Sequence, residues 1–153
     1  MQKPFPGKEV ALQKMQRYCA FQERCHSEVR QKLLSMSVYG DTLDEIIAEL
    51  ISDNYLNEER FARSYARGKF RSKGWGKNRI VQELKMRKVT DYCIRKGLEE
   101  IEDEDYQATL EKIIVKKLEE LRGEDTFTAT TKKATSAMRK GYESELLWAI
   151  FKS

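Results

Sequence analysis

YLNEERFARSYARGKFRSKGWGKNRIVQELKMRKV, residues 55–89, is the stretch on which the reading of the fold turns. It predicts two helices joined by a glycine-marked turn at Gly74-Trp75-Gly76. Asn57 is placed to cap the first, with Glu58 and Glu59 in its opening turn, where the helix dipole favours anions. At 100° per residue, Arg60, Arg63, Arg67 and Arg71 fall within an arc of about 80°. Phe61, Ala62 and Tyr65 lie roughly opposite. The second helix follows Gly76, with Ile80, Val81 and Leu84 inward and Arg79, Gln82, Glu83 and Met86 on the other arc.

The stretch also concentrates the charge. From Arg60 to Lys88 there are eleven Lys or Arg and one acid, Glu83, a balance of +10 on a chain whose net charge is +4. The remaining residues therefore carry −6, and an excess of this kind favours a polyanion, nucleic acid first. Glu99–Asp125 reverses the sign, with eleven acids against four bases.

Outward from this centre the pattern stays helical. A helix is expected from Glu9 through Ala11, Leu12, Met15, Tyr18 and Cys19, and a second from Ser27, read as its N-cap, through Val29, Leu33 and Leu34. Tyr39-Gly40-Asp41 is read as a break. Thr42 or Asp44 then opens a helix with Ile46, Ile47, Leu50 and Ile51 on one side. Beyond the centre, Thr90 or Asp91 starts a helix holding Ile94, Leu98 and Ile101. Tyr106, Leu110, Ile113, Ile114, Leu118 and Leu121 keep the period, Thr126–Lys140 forms another helix, and Tyr142–Phe151 a last one. Both prolines, Pro4 and Pro6, lie at the N-terminal end, so nothing after them breaks helices strongly.

The helices repeat. Setting Val29 on Ile80 places Leu33 on Leu84 and Val38 on Val89, and a three-residue gap then sets Ile46 on Ile94 and Leu50 on Leu98. A third copy begins from Met138-Arg139-Lys140, which repeats Met86-Arg87-Lys88. With one more residue inserted, Tyr142, Leu147 and Phe151 stand on Val89, Ile94 and Leu98. The expected architecture is all-α: three tandem three-helix, helix-turn-helix-like repeats in an elongated array open to curvature. The limits are a disordered lead-in at 1–7, then repeats at 8–54, 55–102 and 103–153.

These residues carry a resemblance. Tyr55-Leu56-Asn57-Glu58-Glu59-Arg60-Phe61-Ala62, then Tyr65 and Arg67, then Gly76, Arg79, Ile80, Glu83 and Leu84 resemble the RecX family, regulatory proteins that modulate the RecA recombinase. Arg24, Ser27, Glu28, Val29, Lys32 and Leu33 look like that family's R-x-x-S-x-x-E-L-x-x-K-L pattern, shifted by one at the Arg. Where the family usually has Gly, this chain has Ser37 and Lys88, so a left-handed turn is less easily made there. The resemblance runs from about Ala11 to Phe151. It implies a non-enzymatic regulator that lies in the groove of a RecA filament on single-stranded DNA, bridging neighbouring subunits, and there modulates, most simply inhibits, ATP hydrolysis and strand exchange, or promotes filament disassembly. It further implies a monomer, with duplex DNA at most a non-specific partner.

The residues expected to touch DNA or the filament are Arg60, Arg63, Arg67, Lys69, Arg71, Lys73, Trp75, Lys77, Arg79, Lys85, Arg87 and Lys88. No acid stands at i+4 to the arginine stripe, so it is expected to lack local neutralisation, unlike an ordinary solvated face. Gly74-Trp75-Gly76-Lys77 leads into a helix N-terminus whose free N–H groups would suit an anion, although it is not a Walker loop. Trp75 is read first as a hydrophobic lid between repeats and second as a stacking platform for a base. The helix after the turn offers Arg79, Gln82 and Met86, a thin set for reading a major groove, so sequence-specific recognition is disfavoured. The acidic third repeat is expected to meet a more positive surface.

Other function classes find little support. One histidine, His26, builds no Ser/His/Asp or Cys/His site, and beside Cys25 it has no partners at metal spacing, so neither catalysis, metal nor cofactor is expected. Asp103-Glu104-Asp105 is read as a helix start. Three cysteines, Cys19, Cys25 and Cys93, without a C-x-x-C pair, a polar beginning and the lack of a long apolar run suggest a cytoplasmic protein with reduced thiols and no membrane partner. Two alternatives stay open: a stand-alone helix-turn-helix DNA-binding protein, and a helical protein–protein adaptor.

Overall fold

A computed structural model describes residues 4–120 and 122–152; Leu121 and the side chain of Leu118, both assigned to the helical period, lie outside the described residues, as do 1–3 of the lead-in. Among the described residues the chain is all-α, with helices α1 (Lys8–Phe21), α2 (His26–Ser35), α3 (Gly40–Ser52), α4 (Glu58–Lys73), α5 (Lys77–Met86), α6 (Asp91–Leu98), α7 (Asp103–Glu120), α8 (Thr126–Arg139) and α9 (Ser144–Lys152) and no strand. None of these helices is long and apolar enough to cross a membrane.

The chain forms two compact units, the first holding Met1–Ser64 and Leu84–Gly97 and the second Tyr65–Glu83 and Leu98–Ser153. In the first, α1 packs on α2 and α3. Its core gathers Ala11, Leu12, Met15 and Cys19 from α1, Val29 and Leu33 from α2, Leu43, Ile46 and Leu50 from α3, and Val38 and Leu56 from the connections. Burying such side chains is worth roughly 1.5–3 kcal/mol each before entropy is counted. In the second unit α8 packs on α7 and α9. Leu110, Ala137, Tyr142 and Leu147 are buried there, as are Ala66 and Ile80 from the second repeat.

Several local expectations give way to capping chemistry. Ser27 does not cap α2. Cys25 does, accepting in a capping box with Glu28, whose carboxylate receives the Cys25 N–H at 3.4 Å. Gly40 begins α3 rather than breaking the chain, and the break falls earlier, at Met36-Ser37. Leu34 and Ile51 are exposed, because each sits just off the buried arc set by Leu33 and Leu50. Asn57 caps α4 as its sequence predicts, its Oδ1 accepting the Arg60 N–H at 2.9 Å.

The repeat is most plainly expressed in the turn that ends the second helix of each copy. Val38 N–H donates to the Leu33 carbonyl at 3.0 Å, Val89 to Leu84 at 3.1 Å, and Tyr142 to Ala137 at 3.2 Å. Within each turn a second, shorter-span bond runs from Ser37 to Leu34, Lys88 to Lys85, and Gly141 to Met138. This is the Schellman arrangement, which needs a left-handed residue just after the helix. Ser37 (φ 61), Lys88 (φ 62) and Gly141 (φ 104) supply it. Two of the three turns thus form without glycine.

Consecutive copies also meet in the same way. Within the first unit the Ser27 hydroxyl donates to the Arg87 carbonyl at 2.7 Å. Within the second, Gly76 N–H donates to the Lys140 carbonyl at 2.7 Å and Asn78 N–H to the Gly141 carbonyl at 2.9 Å. Arg87 and Lys140 hold the same place, one residue before the left-handed position. The start of a second helix therefore docks on the turn of the next copy. In the second unit the backbones touch so closely that a Cβ on Gly76 would lie 2.3 Å from the Gly141 carbonyl carbon.

Candidate nucleic-acid interface

The arginine stripe forms on α4, but it is not left without acids. Arg60 Nε donates to Glu23 Oε1 at 2.8 Å, and its other nitrogens reach Asn54 Oδ1 (3.2 Å) and the carbonyls of Asn54 (3.1 Å) and Tyr55 (3.2 Å). Arg63 Nε pairs with Glu59 at 3.2 Å, one turn back along the helix. In the second unit, Arg67 Nη1 donates to Glu100 Oε1 at 2.6 Å. The expectation of an unneutralised stripe is therefore corrected. Looking only four residues ahead misses Glu59, which lies four behind, and spacing cannot show Glu23 or Glu100, which arrive through the fold.

The later half of α4 is different. Lys73 and Arg71 are exposed and have no ion pair among the described residues. Lys69 Nζ stands 5.5 Å from the centre of the Tyr65 ring and 5.2 Å from that of Trp75. The two rings are tilted, with centroids 6.4 Å apart. Arg79, from α5, places its guanidinium carbon 4.2 Å from the centre of Trp75. Each cation–π contact at such a half-exposed site is worth about 0.5–1 kcal/mol. Trp75 is thus a support that holds two cations, Lys69 and Arg79, in a fixed posture. This cation-bearing role stands beside its reading as a hydrophobic lid, as the Tyr65 ring also lies against it.

The α5 N-terminus spends most of its donors within the fold. Gly76 N–H and Asn78 N–H donate to the turn of the third repeat, and Lys77 N–H donates to the Tyr106 hydroxyl at 2.8 Å. Three of the donors expected to receive a phosphate are therefore taken. Lys77 Nζ lies 4.8 Å over the Tyr106 ring and 3.8 Å from Asp103 Oδ1, so this lysine is tied down as well.

Tyr106 is the hub that sequence did not mark. Its ring stacks on Tyr142 with centroids 5.0 Å apart and tilts against Phe70 at 5.9 Å. Its hydroxyl donates to Glu143 through a short hydrogen bond. Burial, then the Glu143 carboxylate, push the Tyr106 phenol above its ordinary range; burial does the same to Tyr142, whose hydroxyl donates to the Gly74 carbonyl at 2.9 Å. The period of α7 shows Tyr106 facing inward, but nothing in the spacing shows that it holds the α5 N-terminus.

Three expected site residues lie in the first unit beyond α4. Lys85 and Lys88 are exposed, and Arg87 is half-buried with its carbonyl held by Ser27. Met86 stands among them, 72% exposed. Cys19, Cys25 and Cys93 are free thiols. His26 pairs with Glu58, Nδ1 to Oε2 at 3.0 Å. The bases left for a partner are therefore Lys69, Arg71, Lys73, Arg79, Lys85 and Lys88, while Arg60 and Lys77 hold the fold.

A family model for the second three-helix domain of RecX matches residues 57–98. Among curated relatives, the regulatory protein RecX of Streptococcus uberis is 26% identical over 145 residues, 94% of this chain and 54% of its own length. That of Lactobacillus gasseri is 29% identical over 138 residues, 89% and 50% respectively. The chain thus spans about half the length of the curated relatives it matches. The crystal structure of RecX from Lactobacillus salivarius is similar with a TM-score of 0.87 at 21% identity, covering 95% of this chain and 94% of that one. A second RecX crystal structure gives 0.86 at 20% identity, covering 95% and 72%. At these identities the structures speak to the fold.

Proposed function

We propose, on the premise that this chain belongs to the RecX family, that it is a non-catalytic regulator of the RecA recombinase. It binds the RecA filament on single-stranded DNA and restrains ATP hydrolysis and strand exchange by occupying the filament. The observation that carries this reading is the pair of cations posed on Trp75, Lys69 and Arg79, with exposed Lys73 one turn on from Lys69, while exposed Arg71 stands on the other side of α4 with the arginine stripe.

Such a cluster suits phosphates or carboxylates in a fixed array. Lys69 and Arg79 lose little freedom on binding, because their heads are already held over rings. Arg71 and Lys73 add charge at a helix C-terminus, where cations are also favoured by the dipole. No outward strip of Asn, Gln and Arg accompanies them, which favours contact with a backbone over reading of bases. Lys85 and Lys88 give the first unit its own exposed bases. The repeats at 8–54, 55–102 and 103–153 would each present one segment to the filament.

RecA ATPase on single-stranded DNA, measured while the full chain is titrated in, is the test. Inhibition that saturates near stoichiometric protein is expected, and it should weaken with Lys69→Gln/Arg71→Gln. An unchanged ATPase at stoichiometric protein overturns the proposal. Tight, sequence-dependent duplex binding without RecA would instead support a stand-alone DNA-binding protein, and salt-insensitive binding a helical adaptor.

A further inference from the structure

The third repeat does not carry its acid uniformly. Eleven acids of the Glu99–Asp125 stretch precede α8, but Thr126–Lys140 contains Lys132, Lys133, Arg139 and Lys140 and no acid at all. The structure gathers this reversed charge, with a base from α7, into an open groove of about 590 Å³ lined by Lys117, Lys132, Thr135, Ser136, Arg139 and Lys140. We infer that this groove is a second phosphate-binding site, which takes the sugar–phosphate backbone of single-stranded DNA.

Its chemistry is what selects that ligand. Among the described residues its lining is four cations and two hydroxyl side chains, with no carboxylate and no aliphatic or aromatic residue. A peptide held through an apolar anchor would find nothing to grip, whereas phosphate oxygens are recognised through charge and hydrogen-bond donors alone. Lys117 and Lys132 pair with Glu120 at 3.2 Å and Glu124 at 2.7 Å, both solvent-exposed pairs that a phosphate can displace. Arg139 and Lys140 have no acid partner among the described residues. The Ser136 hydroxyl is available as a donor, while that of Thr135 already donates to the Thr131 carbonyl at 2.9 Å.

The groove also continues a surface already described. Lys140 Nζ lies 3.5 Å from the Lys73 carbonyl, so the α8 bases abut the end of α4 where Arg71 and Lys73 are exposed. A strand lying along Lys69 and Lys73 would come next to Lys140, whose Nζ meets the end of α4. This inference rests on the reading that the chain works on a nucleic-acid filament, and it adds a second stop to the path of the strand. It adds to the expectation that the third repeat, acidic before α8, meets a more positive surface.

The test is fluorescence anisotropy of the full chain with labelled oligothymidylate over a salt series, comparing Arg139→Gln/Lys140→Gln with Arg71→Gln/Lys73→Gln. Lys140 holds Gly76 through its backbone carbonyl, which the substitution keeps. Matching thermal melts should confirm that both variants fold. Two lost phosphate contacts at ~0.7 each should lower the salt slope by about 1.4, so the affinity lost between 50 and 200 mM salt shrinks about sevenfold. An unchanged slope for the α8 pair, with a reduced slope for the α4 pair, overturns the second site and leaves the function standing. If the α8 pair alters only inhibition of RecA ATPase, the groove meets an acidic protein surface and the inference fails. If neither pair changes binding and the ATPase is unaffected, the parent reading fails with it.

Discussion

The three equivalent turns allow one substitution to be read with opposite signs. At Ser37 (φ 61) the chain holds a Cβ in the left-handed region, where it costs about 1–2 kcal/mol. Ser37→Gly removes that cost but returns roughly 0.5–1 kcal/mol in the greater freedom of the unfolded chain. The net should be a gain of about 0.5–1 kcal/mol. At Gly141 the reverse change is a collision. A Cβ there would lie 2.4 Å from Arg79 Cβ and 2.5 Å from the Arg79 nitrogen, a piece of backbone that cannot swing aside. Gly141→Ala should therefore cost about 4–7 kcal/mol, the sum of overpacking at ~1–3, the left-handed cost of ~1–2, and strain on the Gly76 and Asn78 hydrogen bonds at ~1 each. Urea unfolding reads both through the midpoint at constant slope. In a melt, Ser37→Gly should raise Tm by ~2–3 °C. If the two substitutions move stability in the same direction, the equivalence of the turns is wrong. A loss above 1 kcal/mol for Ser37→Gly would mean that the contacts of the Ser37 side chain outweigh its left-handed cost.

Four further outcomes are expected. Arg60→Gln should lower stability by about 1–2 kcal/mol, because it releases Glu23, Asn54 and Tyr55, while the salt slope for oligothymidylate stays put; Arg71→Gln should do the opposite, leaving the melt alone and lowering the slope by ~0.7. Glu100→Gln frees Arg67, so affinity for oligothymidylate should rise at low salt with a Tm shift within ~2 °C, and an unchanged affinity would show that Arg67 faces no phosphate. Burial holds the Tyr106 and Tyr142 phenols above the ordinary tyrosine value of 10.0, so their contribution is full below pH 10.0 and is lost as pH climbs past it and the unfolded chain ionises; the urea midpoint should fall steeply there, and less so in Tyr106→Phe. Burial raises the Cys19 thiol to about 11 and lifts that of Cys25 as well, so iodoacetamide at pH 8 should label Cys93 well ahead of both; fast labelling of Cys19 in the native protein would contradict its burial.

Much of the fold was legible because helices and turns are local. The period placed Val29, Leu33, Ile46, Leu50, Ile80, Leu84, Leu110 and Leu147 in buried positions, where they lie. The superposition of Val38, Val89 and Tyr142 holds down to the hydrogen bond, since a Schellman turn is made by six consecutive residues. Absence of glycine at Ser37 and Lys88 weakened the sequence signal without changing the backbone, because the buried residue that follows each fixes the turn. The candidate site was less legible. Sequence gives the charge of α4 but not what answers it: Glu23 and Glu100 lie 37 and 33 residues from their arginines. The α5 N-terminus looked open for the same reason, as its acceptors come from Tyr106 and the turn at Lys140.

Pairing within the chain changes what the basic stretch can be asked to do. A balance of +10 suggests a uniform surface, yet Arg60, Arg63, Arg67 and Lys77 each hold an acid in the fold. Half-exposed pairs of this kind contribute little stability, about 0–1 kcal/mol, and Arg60 exceeds that only through its further bonds to Asn54 and Tyr55, so the pairs themselves are weak as struts but effective as competitors for a phosphate. They set a graded surface: bases held by acids early in α4, bases held only by aromatic rings or water later in it. A polyanion should therefore engage Lys69, Arg71, Lys73 and Arg79 first and must displace a carboxylate to gain anything from Arg63 or Arg67. Charge reversal at Arg71 should then cost more binding than reversal at Arg63, although the two arginines are indistinguishable on the sequence helix.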